Sequence, residues 1–343
     1  MFKFSPLTLR RLRLFRQNRR GFWSLVLFAI LLSCSLGAEF LANDRPLFVW
    51  YEGQAFFPVV QDYAETTFGG DFDAPADFRD PYIAKNIKEM GFALWPPIHF
   101  ADDTIDYSLT VPVPAPPSVQ HWLGTDDQGR DLLARLIYGF RISVLFGLLL
   151  TLFSSVVGIC AGAIQGYYGG KVDLVTQRFM EIWSGMPVLY LLIILSDMIQ
   201  PGFWWLLGIM LLFGWMSLVG VVRAEFLRGR NLDYVRAARA LGIRDRTIMF
   251  RHILPNAMVA GLTFLPFLLN GAIGTLTSLD FLGFGMPAGS PSLGELLAQG
   301  KANLHAPWIG LSAFCVLSLL LTLLVFIGEA ARDALDPNRS SSL

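Results

Sequence analysis

The chain has 343 residues, 54% of them hydrophobic and 16% charged, where ordinary soluble domains carry roughly 25% charged residues. That balance points to a membrane protein. Lys and Arg (27) offset Asp and Glu (27), giving a formal net charge of zero, so charge over the whole chain predicts no nucleic-acid partner and only its local distribution is informative.

A membrane-spanning helix needs about 20 mostly apolar residues, because a rise of about 1.5 Å per residue must cover about 30 Å of hydrocarbon. Stretches 22–41, 142–164, 179–199, 203–222, 257–279 and 308–328 qualify, which predicts an all-α membrane protein with six spans. The first 21 residues carry Lys3, Arg10, Arg11, Arg13, Arg16, Arg19 and Arg20 and no acid, which places the N-terminus in the cytoplasm by the positive-inside rule. An apolar run of about 20 residues is longer than the 7–15 of a secretory signal, so 22–41 is expected to stay as a span. Six crossings then put 165–178, 223–256 and the C-terminus on the cytoplasmic side. The 223–256 loop is rich in arginine against Glu225, Asp233 and Asp245, whereas 281–306 on the other side has only Lys301 and Glu295.

Between the first two spans, residues 43–120 face outward. The bases Arg45, Arg79, Lys85 and Lys88 are heavily outnumbered there by Asp and Glu. Aromatic clusters such as LFVWYEGQAFF predict a small folded domain, not a disordered tether. In TVPVPAPPSVQ, Pro112, Pro114, Pro116 and Pro117 enforce an extended connector. The expected organisation is therefore 1–42 as basic N-terminus and first span, 43–120 as insertion and connector, and 121–343 as a core with spans two to six. Cys34, Cys160 and Cys315 lie in apolar runs and read as small hydrophobic residues. His99, His121, His252 and His305 are scattered, so neither a metal site nor a cofactor is implied.

The stretch YVRAARALGIRDRTIMFRHILPNA, residues 234–257, is the most ordered polar segment. Leu232, Val235, Ala238 and Leu241 recur at helical spacing, and Gly242 is placed to end that helix in a left-handed turn. Asp245 or Thr247 could start a second helix that runs through Ile248, Phe250 and Ile253 and by way of Pro255 into the fifth span. Small residues on the first helix let another protein's groove approach closely, and the arginines can meet an acidic rim. Charge alone supports a plainer reading, a solvated basic loop that fixes topology.

The spacing of Ala237, Ala238, Gly242, Leu254 and Pro255 resembles the EAA loop of bacterial ABC-importer permeases, with Arg236 in place of the family's Glu and His252 in place of its Ile. HWLGTDDQGRDLLARLIYGFRIS at 121–143, GYYGGKVD at 166–173, SLDFLGFGMPAGSPSLGELL at 278–297 and RDALDP at 332–337 resemble the C-subunit type of oligopeptide and dipeptide permease. The long acidic insertion further resembles the YejE-type permeases of peptide and microcin C importers. The resemblance implies the fold of a type I importer permease, with an ATP-binding subunit gripping Arg236, Ala237, Ala238, Gly242, Arg244, Leu254 and Pro255. It also implies a second related permease subunit, two ATP-binding subunits or one fused ATPase, and an extracytoplasmic peptide-binding protein. The location would be the bacterial inner membrane.

The same blocks have structural meanings. Asp126, Asp127 and Asp131 are expected to cap the helix entering the second span. GYYGGK lacks the Gly-x-x-x-x-Gly-Lys-Ser/Thr pattern of a phosphate loop and reads as the turn joining spans two and three. Energy for uphill transport must therefore enter from another subunit, and the chain is expected to have no catalytic residue. Pro187 and Pro266 are candidate breaks in the third and fifth spans. Ser154, Ser155, Asn270 and Thr275 are the polar candidates for a substrate path, although such residues often bond within or between helices. An ion channel or proton-coupled carrier is the main rival. It usually places charge deep in its spans, and these spans carry none at their centres. A membrane-bound enzyme or sensor working through the insertion is another, but His99 and the carboxylates there form no catalytic spacing.

Overall fold

A computed structural model describes residues 6–196, 198–199 and 202–335. Lys3, Asp197, Asp336 and Pro337 lie outside the described residues. The chain begins with α1 (Pro6–Gln17) and α2 (Arg19–Leu36), the second started by Asn18, whose Oδ1 accepts from Gly21 N at 3.2 Å. A short α3 (Ala38–Leu41) leads into the insertion. There β1 (Phe48–Tyr51) lies between β2 (Gln54–Phe56) and, beyond α4 (Pro81–Met90), β3 (Gly91–Leu94), in an antiparallel sheet of order β2-β1-β3. Val49 and Tyr51 alternate inward onto Phe68, Phe78, Ile83 and Ile87, and this small core is separate from that of the helical body.

The helical body follows as α5 (Leu132–Tyr168), α6 (Gly170–Ser184), α7 (Val188–Ser196), α8 (Phe203–Gly214) and α9 (Met216–Gly229). After them come α10 (Asp233–Ala240), α11 (Asp245–Thr247), a π-helical stretch at Ile248–Ile253, α12 (Leu254–Phe281), α13 (Leu293–Ala302) and α14 (Pro307–Leu335). Among the described residues, five helices are long and apolar enough to cross a membrane, six if α6 and α7 count as one bent span. That pair carries the break expected at Pro187 in the third span. It bends by 60°, because Pro187 has no N–H to give and its ring drives Met186 out of the helical region. Pro266, the other expected break, sits inside an uninterrupted α12.

The central helix is α5. At about 1.5 Å per residue, its 37 residues span about 55 Å, long enough to carry the insertion at one end and the 223–256 loop at the other. Gly158, Gly162 and Gly166 form a stripe along it facing α8 and α9. A Cβ there would stand 2.5 Å from the Trp215 carbonyl oxygen, 2.8 Å from that of Val219 and 2.6 Å from that of Arg223. Small residues four apart let two helix backbones meet at van der Waals distance, the main source of helix association where lipid is as apolar as leucine. Cys34, Cys160 and Cys315 lie exposed on the outer faces of α2, α5 and α14.

Candidate functional site

The site is built on α10 at the end of the molecule opposite the insertion. Its inner face is narrow: Val235 and Ala238 are buried against Tyr167, Phe226, Ile248 and Met249. Leu232 and Leu241, expected on that face, are exposed, Leu241 by 80%. Steps of three residues fall about 60° short of a full turn each, so the ends of the series rotate out of the stripe. Gly242 has φ +76°, Gly242 N donates to Arg239 O at 3.0 Å, and Ile243 N donates to Ala238 O at 3.1 Å. This is a Schellman ending, the left-handed turn expected of Gly242. Nothing lies within 4 Å of where a Cβ on Gly242 would stand.

The chain then turns into α11 with Asp245 as its first residue and passes through the π-helical stretch without a break into α12. Of the residues along the expected second helix, Ile248 and Ile253 are buried and Phe250 is exposed, and Met249 takes an inward position. A π turn holds more residues than an α turn and rotates everything after it, which the 3.6-residue periodicity cannot anticipate.

The arginines of this end fall into two groups. Arg223 makes a bidentate pair with Asp173 (2.5 and 2.6 Å), Arg230 caps the end of α5 through Tyr167 O at 3.3 Å, and Arg239 lies 5.3 Å over the Tyr167 ring. Tyr167 OH donates to Asp245. These contacts hold the hairpin together. Arg236, Arg244, Arg246 and Arg251 are exposed and form no ion pair among the described residues. Of the predicted residues, Arg236, Ala237, Gly242, Arg244 and Pro255 share this exposed rim, whereas Ala238 is buried and Leu254 half-buried beneath it. The two alanines thus do opposite work, Ala237 keeping the outer surface low and Ala238 letting α10 seat.

The predicted path residues separate. Ser154 lines a cavity of about 240 Å3 between α5, α8, α9 and α12, together with Thr151, Ser217 and Thr275. The hydroxyls of Thr151 and Ser154 have no hydrogen-bond partner among the described residues. Ser155 is buried away from this lining, and the Asn270 amide donates to Leu321 O at 3.1 Å, joining α12 to α14. The sequence reading missed Thr151 and Ser217, whose only signal was polarity one turn from Ser154 and on a facing helix.

The end bearing the insertion holds a buried ionic clasp. Asp131 caps α5 through Ala134 N (2.8 Å) and takes His121 Nδ1 at 2.8 Å, while His121 Nε2 lies 3.2 Å from Asp106 of the insertion. Asp126 is not a cap. Its carboxylate closes the turn onto Arg130 N at 2.9 Å and takes Arg130 Nε at 2.7 Å. Asp127 caps nothing either, and its Oδ1 is unpartnered among the described residues. Arg135, fully buried, reaches Asp126 (3.3 Å), Glu295 (3.4 Å) and the carbonyls of Asp102 and Ser290. The insertion, the start of α5 and the loop before α13 are therefore tied at one place.

An ordered, arginine-rimmed helix thus stands at one end of a bundle of helices long and apolar enough to span a membrane. The chain belongs to the family described as binding-protein-dependent transport system inner membrane components, which matches residues 158–341. It is 61% identical to an inner membrane ABC transporter permease protein, YejE, of Escherichia coli K12, over 99% of this chain and 100% of that one. It is 56% identical to a peptidoglycan transport system permease protein, also YejE, of Agrobacterium fabrum, over 98% and 94%. An oligopeptide transport system permease protein, OppC, of Bacillus subtilis is 35% identical over 68% of this chain and 77% of its own. A chain of the MetNI methionine ABC transporter in an inward-facing conformation has the same fold, with a TM-score of 0.51 over 60% of this chain and 98% of that one, at 16% identity.

Proposed function

We propose that this chain is the permease subunit of an ATP-driven importer that moves peptides or peptide-like compounds across a bacterial inner membrane. The names of two of its relatives, a peptidoglycan and an oligopeptide transport system permease, support the substrate class. Both termini and the 223–256 loop face the cytoplasm, in line with the basic N-terminus. A second related permease completes the path, ATP is hydrolysed on separate subunits, and an extracytoplasmic binding protein delivers the peptide.

One observation carries the coupling reading: α10 is seated from behind by buried Val235 and Ala238 and by Arg239 over the Tyr167 ring, while Arg236, Arg244, Arg246 and Arg251 face outward with no ion pair among the described residues. An acidic groove on an ATPase fits over this rim, with Ala237 and the open space at Gly242 allowing close approach. Movement of that subunit then rocks the helices joined to α10, and access alternates at the Thr151–Ser154–Ser217–Thr275 cavity.

Two measurements test it. Arg236→Glu combined with Arg244→Glu removes no ion pair within the described chain, so the protein should still insert but lose its ATPase on co-purification. Retention of the ATPase overturns the assignment. Gly242→Val should abolish peptide uptake with the chain still inserted, because a β-branched residue in a left-handed turn costs at least about 1–2 kcal/mol. Gly242→Asn, which tolerates that turn, should keep most of it, and normal uptake by the valine variant counts against a coupling role.

A further inference from the structure

The insertion carries a groove that lies outside the family match at 158–341. Two cavities, of about 560 and about 440 Å3, share Phe78, Arg79, Asp106 and Ser108 as a common wall. Each is within the range of roughly 300–1,000 Å3 typical of small-molecule sites, and together they make one depression with Arg79 on the ridge between its halves.

Arg79 is half-buried. Its guanidinium lies 4.7 Å over the Phe100 ring and 3.6 Å from Asp106, too far for a hydrogen bond. Asp106 is already filled by Ser108 N (2.9 Å), Ser108 Oγ (2.6 Å) and His121 Nε2 (3.2 Å). The ring and the carboxylate thus fix the Arg79 fork, while its N–H donors form no hydrogen bond among the described residues. A fixed fork with free donors is suited to a carboxylate held by two parallel bonds.

The two halves differ in chemistry. On one side stand Trp95, tilted against His99 at 5.2 Å between ring centres, and the exposed Trp122. On the other stand the carboxylates of Asp44 and Asp77, beside Arg45, whose charge is already taken by Asp62. An aromatic compartment, a cation and an acidic compartment in that order match the C-terminal side chain, the terminal carboxylate and the amino-terminal end of a short peptide. We propose that this groove binds short peptides ending in an apolar residue, with the terminal carboxylate on Arg79 and the last side chain between Trp95 and Trp122. The substrate class rests on the peptide-importer reading; the existence of the site does not. It would give the permease its own hold on peptide, distinct from the cavity between its helices.

The test is calorimetric titration of the purified full-length chain, without ATPase or binding protein, using Ala-Ala-Phe, its C-terminal amide and its N-acetyl form. The free tripeptide should bind saturably. The amide should bind roughly tenfold or more weakly, as loss of one charge-assisted contact allows, and the N-acetyl form less weakly than the amide. Arg79→Lys, which keeps the charge but not the fork, and Trp122→Ala should each weaken binding severalfold. No saturable binding in the millimolar range, or equal affinity for tripeptide and amide, overturns the proposal even if a variant fails to fold, because both comparisons use the unaltered chain. Absence of binding together with normal peptide uptake by the assembled importer would reject the groove and leave the transport function standing. Binding without uptake would do the reverse.

Discussion

His121 has a carboxylate on each ring nitrogen, and only the imidazolium has two N–H donors to satisfy both. Burial alone would lower its pKa, but the bonds to Asp131 and Asp106 outweigh burial and hold it above the ordinary value of 6.5. Burial would likewise raise Asp106, yet the bonds from Ser108 and His121, with Arg79 nearby, hold it below the ordinary carboxylate range. The signs are opposite. His121 contributes stability that is fully present below about 6.5 and is lost as pH rises through its raised folded value. Asp106 contributes stability present above about 3.9 that is lost as pH falls through its lowered folded value. The clasp is therefore closed between those limits. Hydrogen exchange across residues 98–131 should show protection falling as pH climbs past the folded His121 value, and His121→Gln should flatten that dependence; a flat profile in the unaltered chain would remove the argument. His121→Leu removes the cation between Asp131 and Asp106, leaving Asp106 only the more distant Arg79, and should cost about 3–5 kcal/mol, read as a lowered thermal midpoint. The sequence offered His121 only as one of four scattered histidines, since its partners lie ten and fifteen positions away and meet it only through the fold.

At the scale of elements, the spans were legible because a long apolar helix announces itself by length, and the Schellman turn was legible because glycine, with no Cβ, sits easily at φ +76°. The expected positions of Leu232 and Leu241 on the inner face were not met, since the ends of the series rotate out of the stripe. The stripe Gly158, Gly162 and Gly166 stands in the sequence at spacing four, a signal that was present and went unread. Gly162→Leu should push α5 from α9, where the Val219 carbonyl would lie 2.8 Å from its Cβ. Overpacking of this kind costs about 1–3 kcal/mol. The expected result is an earlier thermal transition in detergent, while Gly208→Leu, with nothing within 4 Å of its Cβ, should leave it nearly unchanged. Equal midpoints for the two variants would contradict the close-packed seam.

At the scale of the whole molecule, the insertion is joined to the bundle by more than its two chain connections. Arg135 donates to the Asp102 carbonyl at 3.1 Å, and Asp106 completes the histidine clasp. Deleting 43–110 should therefore destabilise the start of α5, beyond any effect on transport. Replacing 49–93 by a short Gly-Ser linker should be far milder, because Phe48 and Leu94 are paired across the sheet and Asp102 and Asp106 remain. Comparing the thermal midpoints of the two shortened chains checks this, and a difference of zero would show that the clasp contributes nothing. Composition, apolar run length and a few turn residues were enough to establish the membrane class, the existence of most spans and the ordered loop, because each is a local property of the chain in lipid or at a helix end. The closed clasp, the division of arginines into anchors and rim, and the hydroxyl-lined cavity depended on side chains far apart in sequence reaching one place, and that meeting exists only once the helices have chosen their neighbours.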